Sequence, residues 1–380
     1  MCFLIILLLS ESVPRTREAL LSIFNMEKTK SFKLSRFEKV GYVARRYDKV
    51  KMTSSVSGYI AQRNSIVKMT PPVSGYIAQR NDTVRNNPQV SGVSLTAAVT
   101  QQIKIKQINR SRGMLCPVLM SGLGNHLFQF ASTFGIAMSK HMTFIMNKNS
   151  QLNRYFALDV KFKNDNQLCR SFKIRLEKFS ATYDKNLLKL NSSKNFRIGH
   201  YLQSYKYFYK FRKELRQQLQ FRKAIQESAK NIVDEILREF NITSRHSVTL
   251  IGVHVRRGDK VNNTQGYGLA TADYLRTAVD YYKKKYKNTI FIVASNGMEW
   301  TKKNMPRHIV VKYIAGSTEM DMATIVECDH VIMTIGSYGW WCGWLAGGDV
   351  VYYKRAAIPG SRFAKRINYE DHFYPGWVGF

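Results

Sequence analysis

Acidic residues are scarce in this chain of 380 residues. It contains 26 Asp and Glu against 59 Lys and Arg, so its formal net charge is +33 at pH 7. Such an excess favours an anionic partner: a nucleic acid, an acidic lipid, an acidic glycan or a nucleotide. Basic residues are in excess both in the first 112 residues and in the remainder. Zinc-finger spacing and RNA-recognition signatures are lacking, so we expect no nucleic-acid partner.

Cysteine is rare as well. The five cysteines include no Cys-x-x-Cys pair, which argues against a structural zinc site. An odd number leaves at least one thiol without an intrachain partner, and the count alone does not settle the redox compartment. Asn-x-Ser/Thr triplets, which fit a secretory route without proving one, stand at Asn81, Asn109, Asn191, Asn241 and Asn262.

Long apolar runs are lacking at the N-terminus. Cys2 to Leu9 is apolar, but a membrane-spanning helix needs about 20 such residues. No basic segment precedes this run, as one would in a signal peptide. It fits a clipped signal anchor, a weak signal peptide or a buried segment, and the start of the chain is either genuine, or truncated or misassigned.

Residues 1–112 differ from the rest of the chain. A stretch at 50–64 recurs almost unchanged at 67–81, with a period of 17. Two copies are too few for a solenoid, which needs about three. We therefore predict a poorly structured N-terminal stem over 1–112, with a binding module as the alternative.

The pattern changes at Met114. An apolar run, Met114–Met120, leads into Ser121-Gly-Leu-Gly-Asn125, and apolar residues at helical spacing follow, which indicates strand, glycine turn and helix. Residues 151–245 are polar and aromatic, with a helix predicted over about 209–239. We take 113–245 as the first half of the part of the chain that follows residue 112.

Residues 246–380 alternate between apolar runs and helical segments. Strands are predicted at Val248–Val255, Ile290–Ser295, Ile309–Ile314, Val331–Ile335 and Val350–Tyr353, with helices at Thr271–Tyr286, Met320–Glu327 and Tyr338–Leu345. This order predicts a parallel sheet covered on both faces, as in doubly wound nucleotide-binding domains.

One motif stands at the end of the first of these strands: Ile251-Gly-Val-His254-Val-Arg256-Arg257-Gly258-Asp259-Lys260. Ligands of open parallel sheets bind beyond the carboxyl ends of the strands. Arginine presents a planar fork to phosphate oxygens, and an aspartate there can orient an arginine or bind a hydroxyl. A surface turn held by salt bridges is the alternative.

Three more turns follow strands. Asn296-Gly297 ends one strand, and Gly336-Ser337 follows Thr334 and opens a helix. A helix N-terminus is a natural diphosphate site, although Ser337 could equally be only a helix cap. Gly122-Leu-Gly124-Asn125 is a weak signal by itself. The nearby Trp340, Trp341 and Trp344 are more typical of a core than of a sugar platform.

Together these segments resemble the α-1,2-fucosyltransferases of glycosyltransferase family 11. The matching stretches occur in family order from about residue 114 to 380: Gly122–Ala131, Gly199–Phe208, His254–Asp259, Ser295–Gly297, Asp321–Glu327, Thr334–Gly339, Gly347–Asp349 and Pro375–Gly379. Residues 1–112 show no such match.

The resemblance implies a GT-B-like α/β fold, in which two Rossmann-like halves, 113–245 and 246–380, face a cleft. It implies transfer of L-fucose from GDP-β-L-fucose, with inversion, to the 2-hydroxyl of galactose in a glycan. It also implies a Golgi membrane protein of type II topology with a lumenal catalytic domain, attached through an N-terminal anchor if the start is complete.

Residue roles follow from the same resemblance. His254, Arg256 and Arg257 match the donor motif, with Arg256 on the diphosphate. Asp321 matches a position that reads guanine, Ser337 a diphosphate contact and Asn125 a residue near the transferred sugar. Asn296 and Thr334 lie in further matching stretches and are assigned to the donor too.

Two chemical expectations complete the hypothesis. A base should take the proton of the attacking hydroxyl, and Asp259 is the first choice and His254 the second. No Asp-x-Asp stands at a strand end, so arginines rather than a metal ion should neutralise the diphosphate, and no cofactor is expected. The alternatives are a non-catalytic glycan- or nucleotide-binding protein with this fold and a charge-driven nucleic-acid binder.

Overall fold

The computed structural model describes residues 112–164 and 166–380; the predicted stem, its repeat and the apolar N-terminus lie outside the described residues. The described residues contain two α/β regions, each built on its own parallel sheet. Every pair of neighbouring strands in both sheets is parallel.

The first sheet has five strands. They are β1 (Met114–Pro117), β2 (Thr143–Asn147), β3 (Lys161–Lys163), β4 (Lys173–Leu176) and β5 (Phe196–Gly199). Their order is β3-β2-β1-β5-β4. The helices around this sheet are α1 (Leu123–Ser139), α2 (Gln151–Tyr155), α3 (Asn166–Arg170) and α4 (Arg212–Gln218).

The second sheet has six strands, β6 (Thr249–Val255), β7 (Thr289–Ser295), β8 (Val310–Ile314), β9 (His330–Met333), β10 (Val350–Tyr352) and β11 (Val378–Gly379), in the order β11-β10-β9-β6-β7-β8. Its helices are α5 (Lys223–Glu239), α6 (Ala272–Lys285), α7 (Met298–Asn304), α8 (Thr318–Val326), α9 (Ser337–Ala346) and α10 (Tyr369–His372).

Both faces of the second sheet are covered, as predicted. Leu250 of β6 packs with Ile236 of α5, whereas the next residue, Ile251, belongs to the main core together with Leu275 of α6. Successive side chains of a strand point to opposite faces, so this split explains why the strands read as continuous apolar runs.

One prediction about the helices was wrong. The helix expected over about 209–239 is two helices, α4 and α5, separated at 219–222. The break places Phe221 in a β-bridge to Phe156, and the two rings stack with their centroids 4.6 Å apart. This tertiary contact outweighs the helical propensity of the segment.

The two regions share a single aromatic core. Phe128 of α1 lies 4.6 Å from Trp340 and 5.2 Å from Trp341 of α9, between ring centroids. Phe208 packs against both tryptophans, and all these rings are fully buried. The tryptophans are therefore core residues.

The predicted α/β fold, with two parallel-sheet halves facing a cleft, is confirmed.

Candidate functional site

A cleft of about 590 Å³ lies where the carboxyl ends of the strands of both regions meet. The segment that follows β1 contributes Ser121 to Asn125, and the second region contributes Arg256, Asp259 and Lys260. The start of α9 contributes Gly336, Ser337 and Tyr338. Arg256 and Ser337, which come from different strand ends, thus line the same cavity.

The turn after β6 holds Arg256 in a defined position. Its backbone N–H donates to Thr334 Oγ1 at 2.8 Å. Its guanidinium meets the Asp259 carboxylate twice, with Nη2 2.9 Å from Oδ2 and Nε 2.6 Å from Oδ1. The Nη2 contact is a hydrogen bond, whereas Nε is buried without a hydrogen-bond partner, so its closeness to Oδ1 is an ion-pair contact. This paired contact holds the guanidinium beside Asp259 at the edge of the cleft. Thr334 is itself buried and supports Arg256.

Asp259 is surrounded by donors. Lys260 Nζ lies 3.3 Å from its carboxylate and Asn296 Nδ2 donates to it at 3.0 Å, in addition to Arg256. Partial burial by itself would raise the pKa of Asp259, but the hydrogen bond and charge of Arg256, with Lys260, outweigh it and lower the pKa to about 2. The carboxylate is therefore ionised at neutral pH, and its position suits it to orient Arg256.

Asn296 and Arg257 shape the back of this turn. Asn296 Oδ1 accepts the backbone N–H groups of Arg257 at 2.7 Å and Gly258 at 3.1 Å. The Arg257 guanidinium lies 4.0 Å from the ring centroid of Trp300. Neither side chain is among those that line the cleft, so their assignment to the donor stays a prediction.

Asp321 lies near the start of α8. Its Oδ1 accepts the backbone N–H of Gly316 at 2.8 Å. Burial raises the pKa of Asp321, the Gly316 hydrogen bond lowers it and the charge of Glu319 raises it further. The side chain is not part of the cleft lining, so its role in reading guanine also stays a prediction.

The start of α9 contacts the other region directly. Gly336 precedes the helix with φ +91°, a conformation that favours glycine. Ser337 Oγ donates to Asn125 Oδ1 at 2.8 Å, and Gln203 Nε2 donates to the same oxygen at 2.7 Å. The first backbone N–H groups of α9 and its positive dipole end therefore lie at the cleft.

Gly124 allows α1 and α9 to begin in contact. A Cβ atom at Gly124 would lie 2.4 Å from the backbone nitrogen of Tyr338 and 2.6 Å from the carbonyl carbon of Ser337. Both obstacles are backbone atoms, so any side chain would push the two helix ends apart. The weak Gly-x-Gly signal of the sequence thus has a packing role.

His254 lines the cleft at the end of β6, although most of its side chain is buried. It is 6% exposed, and its ring centroid lies 4.7 Å from that of Tyr338. Burial, and then the charge of Arg256, lower the pKa of His254 to about 3. The imidazole is therefore neutral at neutral pH, and its Nδ1 atom is buried without a hydrogen-bond partner.

Three contributors, Tyr201, Gln203 and Glu177, were not singled out from the sequence. Tyr201 and Gln203 line the cleft, and the segment that carries them is held by Glu177. Glu177 Oε1 accepts the backbone N–H groups of Tyr201 and Leu202, both at 2.8 Å. Gln203 lies within a stretch that resembles the family, whereas nothing in the sequence marks Glu177.

Within residues 112–164 and 166–380, no three His, Cys, Asp or Glu side chains are grouped as metal ligands. The expectation that no metal ion is required stays a prediction.

Comparisons with known proteins show the family of the chain. The family model of Glycosyl transferase family 11 matches residues 84–380. Galactoside alpha-(1,2)-fucosyltransferase 1 of Homo sapiens is 34% identical over 184 residues, which are 46% of this chain and 50% of that protein. Galactoside alpha-(1,2)-fucosyltransferase 2 of Rattus norvegicus is 30% identical over 291 residues, 70% of this chain and 77% of that protein. This chain thus spans about half the length of the human relative.

Solved structures are more distant. Fucosyltransferase NodZ from Bradyrhizobium superposes with a TM-score of 0.45 at 12% identity, over 66% of this chain and 97% of that one. FUT1 of Arabidopsis thaliana in complex with GDP gives a TM-score of 0.42 at 9% identity, over 70% and 79%. The family match covers the whole of the described structure, and the chain belongs to glycosyl transferase family 11.

Proposed function

We propose that this chain transfers L-fucose from GDP-β-L-fucose, with inversion, to the 2-hydroxyl of a galactose in a glycan. The observation that carries the proposal is the meeting of the Arg256 guanidinium and the N-terminus of α9 at one cleft. The relatives supply the chemistry by name, since both are galactoside alpha-(1,2)-fucosyltransferases.

The leaving group sets the electrostatic task. As the bond between fucose and phosphate breaks, negative charge grows on GDP. Arg256, held by Asp259 and Thr334, and the amide groups at the start of α9 provide donors that are oriented before the reaction begins. Such preorganised donors stabilise charge without reorganising during the reaction.

The attacking hydroxyl needs a base. Asp259 faces the cleft and is ionised, but its pKa of about 2 makes it a weak base. His254 is neutral, but its Nδ1 atom is buried. We keep Asp259 as the first choice, with the orientation of Arg256 as its other task. Asp259→Asn tests both: loss of the acidic limb of the pH–kcat profile supports a base, because a base must lose its proton to act, and an unchanged profile with a lower kcat supports orientation alone.

We propose that the reaction needs no metal ion, because Arg256 and Lys260 place positive charge in the cleft. Turnover should persist in excess EDTA. If chelation abolishes turnover and added Mg²⁺ or Mn²⁺ restores it, this part of the proposal is wrong.

We propose that the protein works in the lumen of the Golgi. Cys116 and Cys169 form a disulfide, a bond typical of secretory compartments. Three of the glycosylation triplets, at Asn191, Asn241 and Asn262, are exposed. Of the helices that the structure describes, none is both long and apolar enough to span a membrane. Treatment of the expressed protein with an enzyme that removes N-glycans tests this route, and a fall in its mass is expected. A protein that carries no N-glycan and has Cys116 and Cys169 reduced would contradict the route.

The central experiment incubates the full-length chain with labelled GDP-fucose and a panel of β-galactosides. The expected product carries a label that an α-1,2-specific fucosidase releases. A label that this fucosidase does not release would contradict the proposed linkage. GDP binding without turnover on any acceptor would instead support a non-catalytic binding protein.

A further inference from the structure

A second cavity, of about 460 Å³, lies beside the cleft, at the carboxyl edge of the first sheet. Pro117 at the end of β1 and the next two residues, Val118 and Leu119, line this second cavity, and residues 121–125 line the cleft. Gln151, at the start of α2, lines both. The two cavities are therefore neighbours that share the wall formed by the segment between β1 and α1.

The second cavity is basic. Lys163 at the end of β3, Arg170 at the end of α3 and Arg197 in β5 all line it, and no acidic residue does so among the described part of the chain. None of these three side chains has an ion pair or hydrogen bond to another described residue. Asp165, which stands between Lys163 and Arg170 in the sequence, lies outside the described residues.

Two nitrogen atoms of residues that line the second cavity are buried and unpaired. Nε of Arg197 and Nδ1 of His126 are removed from solvent and lack hydrogen-bond partners. Buried polar atoms are normally paired, and an unpaired one is unfavourable. Burial lowers the pKa of His126, so its ring is neutral at neutral pH and offers a hydrogen bond rather than a charge. Arg197 and His126, which both line the second cavity, thus each carry one nitrogen atom without a hydrogen-bond partner.

We propose that this cavity binds an anionic substituent, a sulfate or a carboxylate, carried by the acceptor glycan. A guanidinium fork matches the paired oxygens of either group. The cavity has room for a whole sugar residue rather than only an isolated ion, and it adjoins the cleft where galactose has to present its hydroxyl. The donor diphosphate is assigned to Arg256 and α9 across the wall, so an anion here comes from the acceptor. The inference rests on the proposed function.

Direct binding tests the inference without turnover. Lactose, lactose carrying a 6-sulfate on galactose, and a glucuronate-containing galactoside are titrated into the full-length protein by calorimetry. At least one of the two anionic ligands should bind about ten-fold more tightly than lactose, as expected for one charge-assisted hydrogen bond. The two anionic arms show which group the cavity takes.

Three variants locate the effect. Arg170→Gln and Arg197→Gln should each abolish most of the preference for the anionic ligand. Arg170 is exposed, so its replacement tests the site even if the Arg197 variant folds poorly. Lys161→Gln is the matched control, because Lys161 lies on β3 two residues from Lys163 and does not line the cavity. It should keep the preference.

Equal affinity for lactose and both anionic ligands would overturn the inference. So would a preference that survives both arginine replacements, or one that Lys161→Gln reduces equally. Labelled GDP-fucose is followed in parallel with the same protein. Absence of transfer together with anion-selective binding would contradict the proposed function and leave the cavity assigned, so the two failures are distinguishable.

Discussion

The Ser337 hydroxyl donates a hydrogen bond of 2.8 Å to the side-chain oxygen of Asn125. This bond links α1 of the first sheet region to α9 of the second. Because Gln203 donates to the same oxygen, Asn125 is the common acceptor for both regions. The position of Ser337 in the cleft therefore depends on a residue 212 positions earlier in the chain.

A double-mutant cycle measures this link. Asn125→Ala and Ser337→Ala should show a coupling free energy of about 1 kcal/mol in urea unfolding, because each removes the partner of the other. Ser121→Ala is the control. Ser121 is exposed, and its hydroxyl is hydrogen-bonded to the Tyr201 hydroxyl, whereas Ser337 is hydrogen-bonded to Asn125. Ser121→Ala should be additive with Ser337→Ala. Additivity of Asn125→Ala would show that the hydrogen bond contributes nothing.

Arg256→Lys should lower kcat by about 10² to 10³, because lysine cannot make the paired contact with Asp259 and the developing charge on GDP loses an oriented donor. Steady-state kinetics with GDP-fucose measure the loss, and circular dichroism checks the fold. Arg257→Lys is the matched control. Arg257 lies over Trp300 outside the cleft, so its replacement should cost far less turnover. The reverse order of effects would move the diphosphate contact from Arg256 to Arg257.

Gly124→Ala should destabilise the fold by about 1 to 3 kcal/mol, since the new methyl group would meet the backbone of Ser337 and Tyr338. Thermal unfolding measures the change. Gly122→Ala is the neighbouring control, because a Cβ atom there has no atom within 4 Å and its φ of −85° suits alanine. Equal stability of the two variants would show that α1 and α9 do not begin in close contact.

Glu177 should make stability depend on pH. Burial raises the pKa of Glu177 to about 8, although the Leu202 and Tyr201 amides oppose this. Between its usual pKa of 4.5 and about 8, the folded protein holds a proton that the unfolded chain has released. The free energy of unfolding should therefore fall as the pH rises through this window and level off above it.

Glu177→Gln keeps an acceptor for the two amides and cannot ionise, so it should remove this part of the pH dependence. Glu177→Ala leaves both amides without their acceptor and should cost roughly 2 to 5 kcal/mol. Urea unfolding at pH 6 and pH 8.5 separates the variants. An identical pH dependence in the wild type and in Glu177→Gln would refute the assignment.

The Cys116–Cys169 disulfide closes a long loop, with a sequence separation of 53. In the chain-entropy account its removal should cost about 4 kcal/mol. Cys116→Ala, Cys169→Ala and the double variant should be almost equally destabilised, because each breaks the same bond. Urea unfolding measures this, and dithiothreitol should affect only the wild type. Additive losses in the double variant would mean that the two residues are not bonded.

The second sheet region was predictable because each of its elements carries a local signal. The strand expected at Val248–Val255 is Thr249–Val255, and the helix expected at Thr271–Tyr286 is Ala272–Lys285. Continuous burial on both faces produces long apolar runs that are easily recognised. The first sheet region gave weaker sequence signals, because β3 and β4 are short and largely exposed and therefore lack long apolar runs.

The contacts of the site were harder to predict from the sequence. A pair of adjacent arginines does not reveal which one faces the ligand, and here Trp300, 43 positions beyond Arg257, holds Arg257 outside the cleft. Glu177 lies after an edge strand in a polar segment, and its function as an acceptor for two amides depends on tertiary packing alone. The boundaries chosen at 112, 245 and 380 stay a prediction.

The rings of Phe128, Phe208, Trp340 and Trp341 also bear on how the sugar nucleotide enters. If the two sheet regions moved apart about a flexible linker, the interface between them would have to separate. These rings instead interlock and are completely removed from water. Separating the regions would expose them, at a high cost in free energy. GDP-fucose should therefore enter through the mouth of the cleft past surface side chains, while the scaffold beneath stays still.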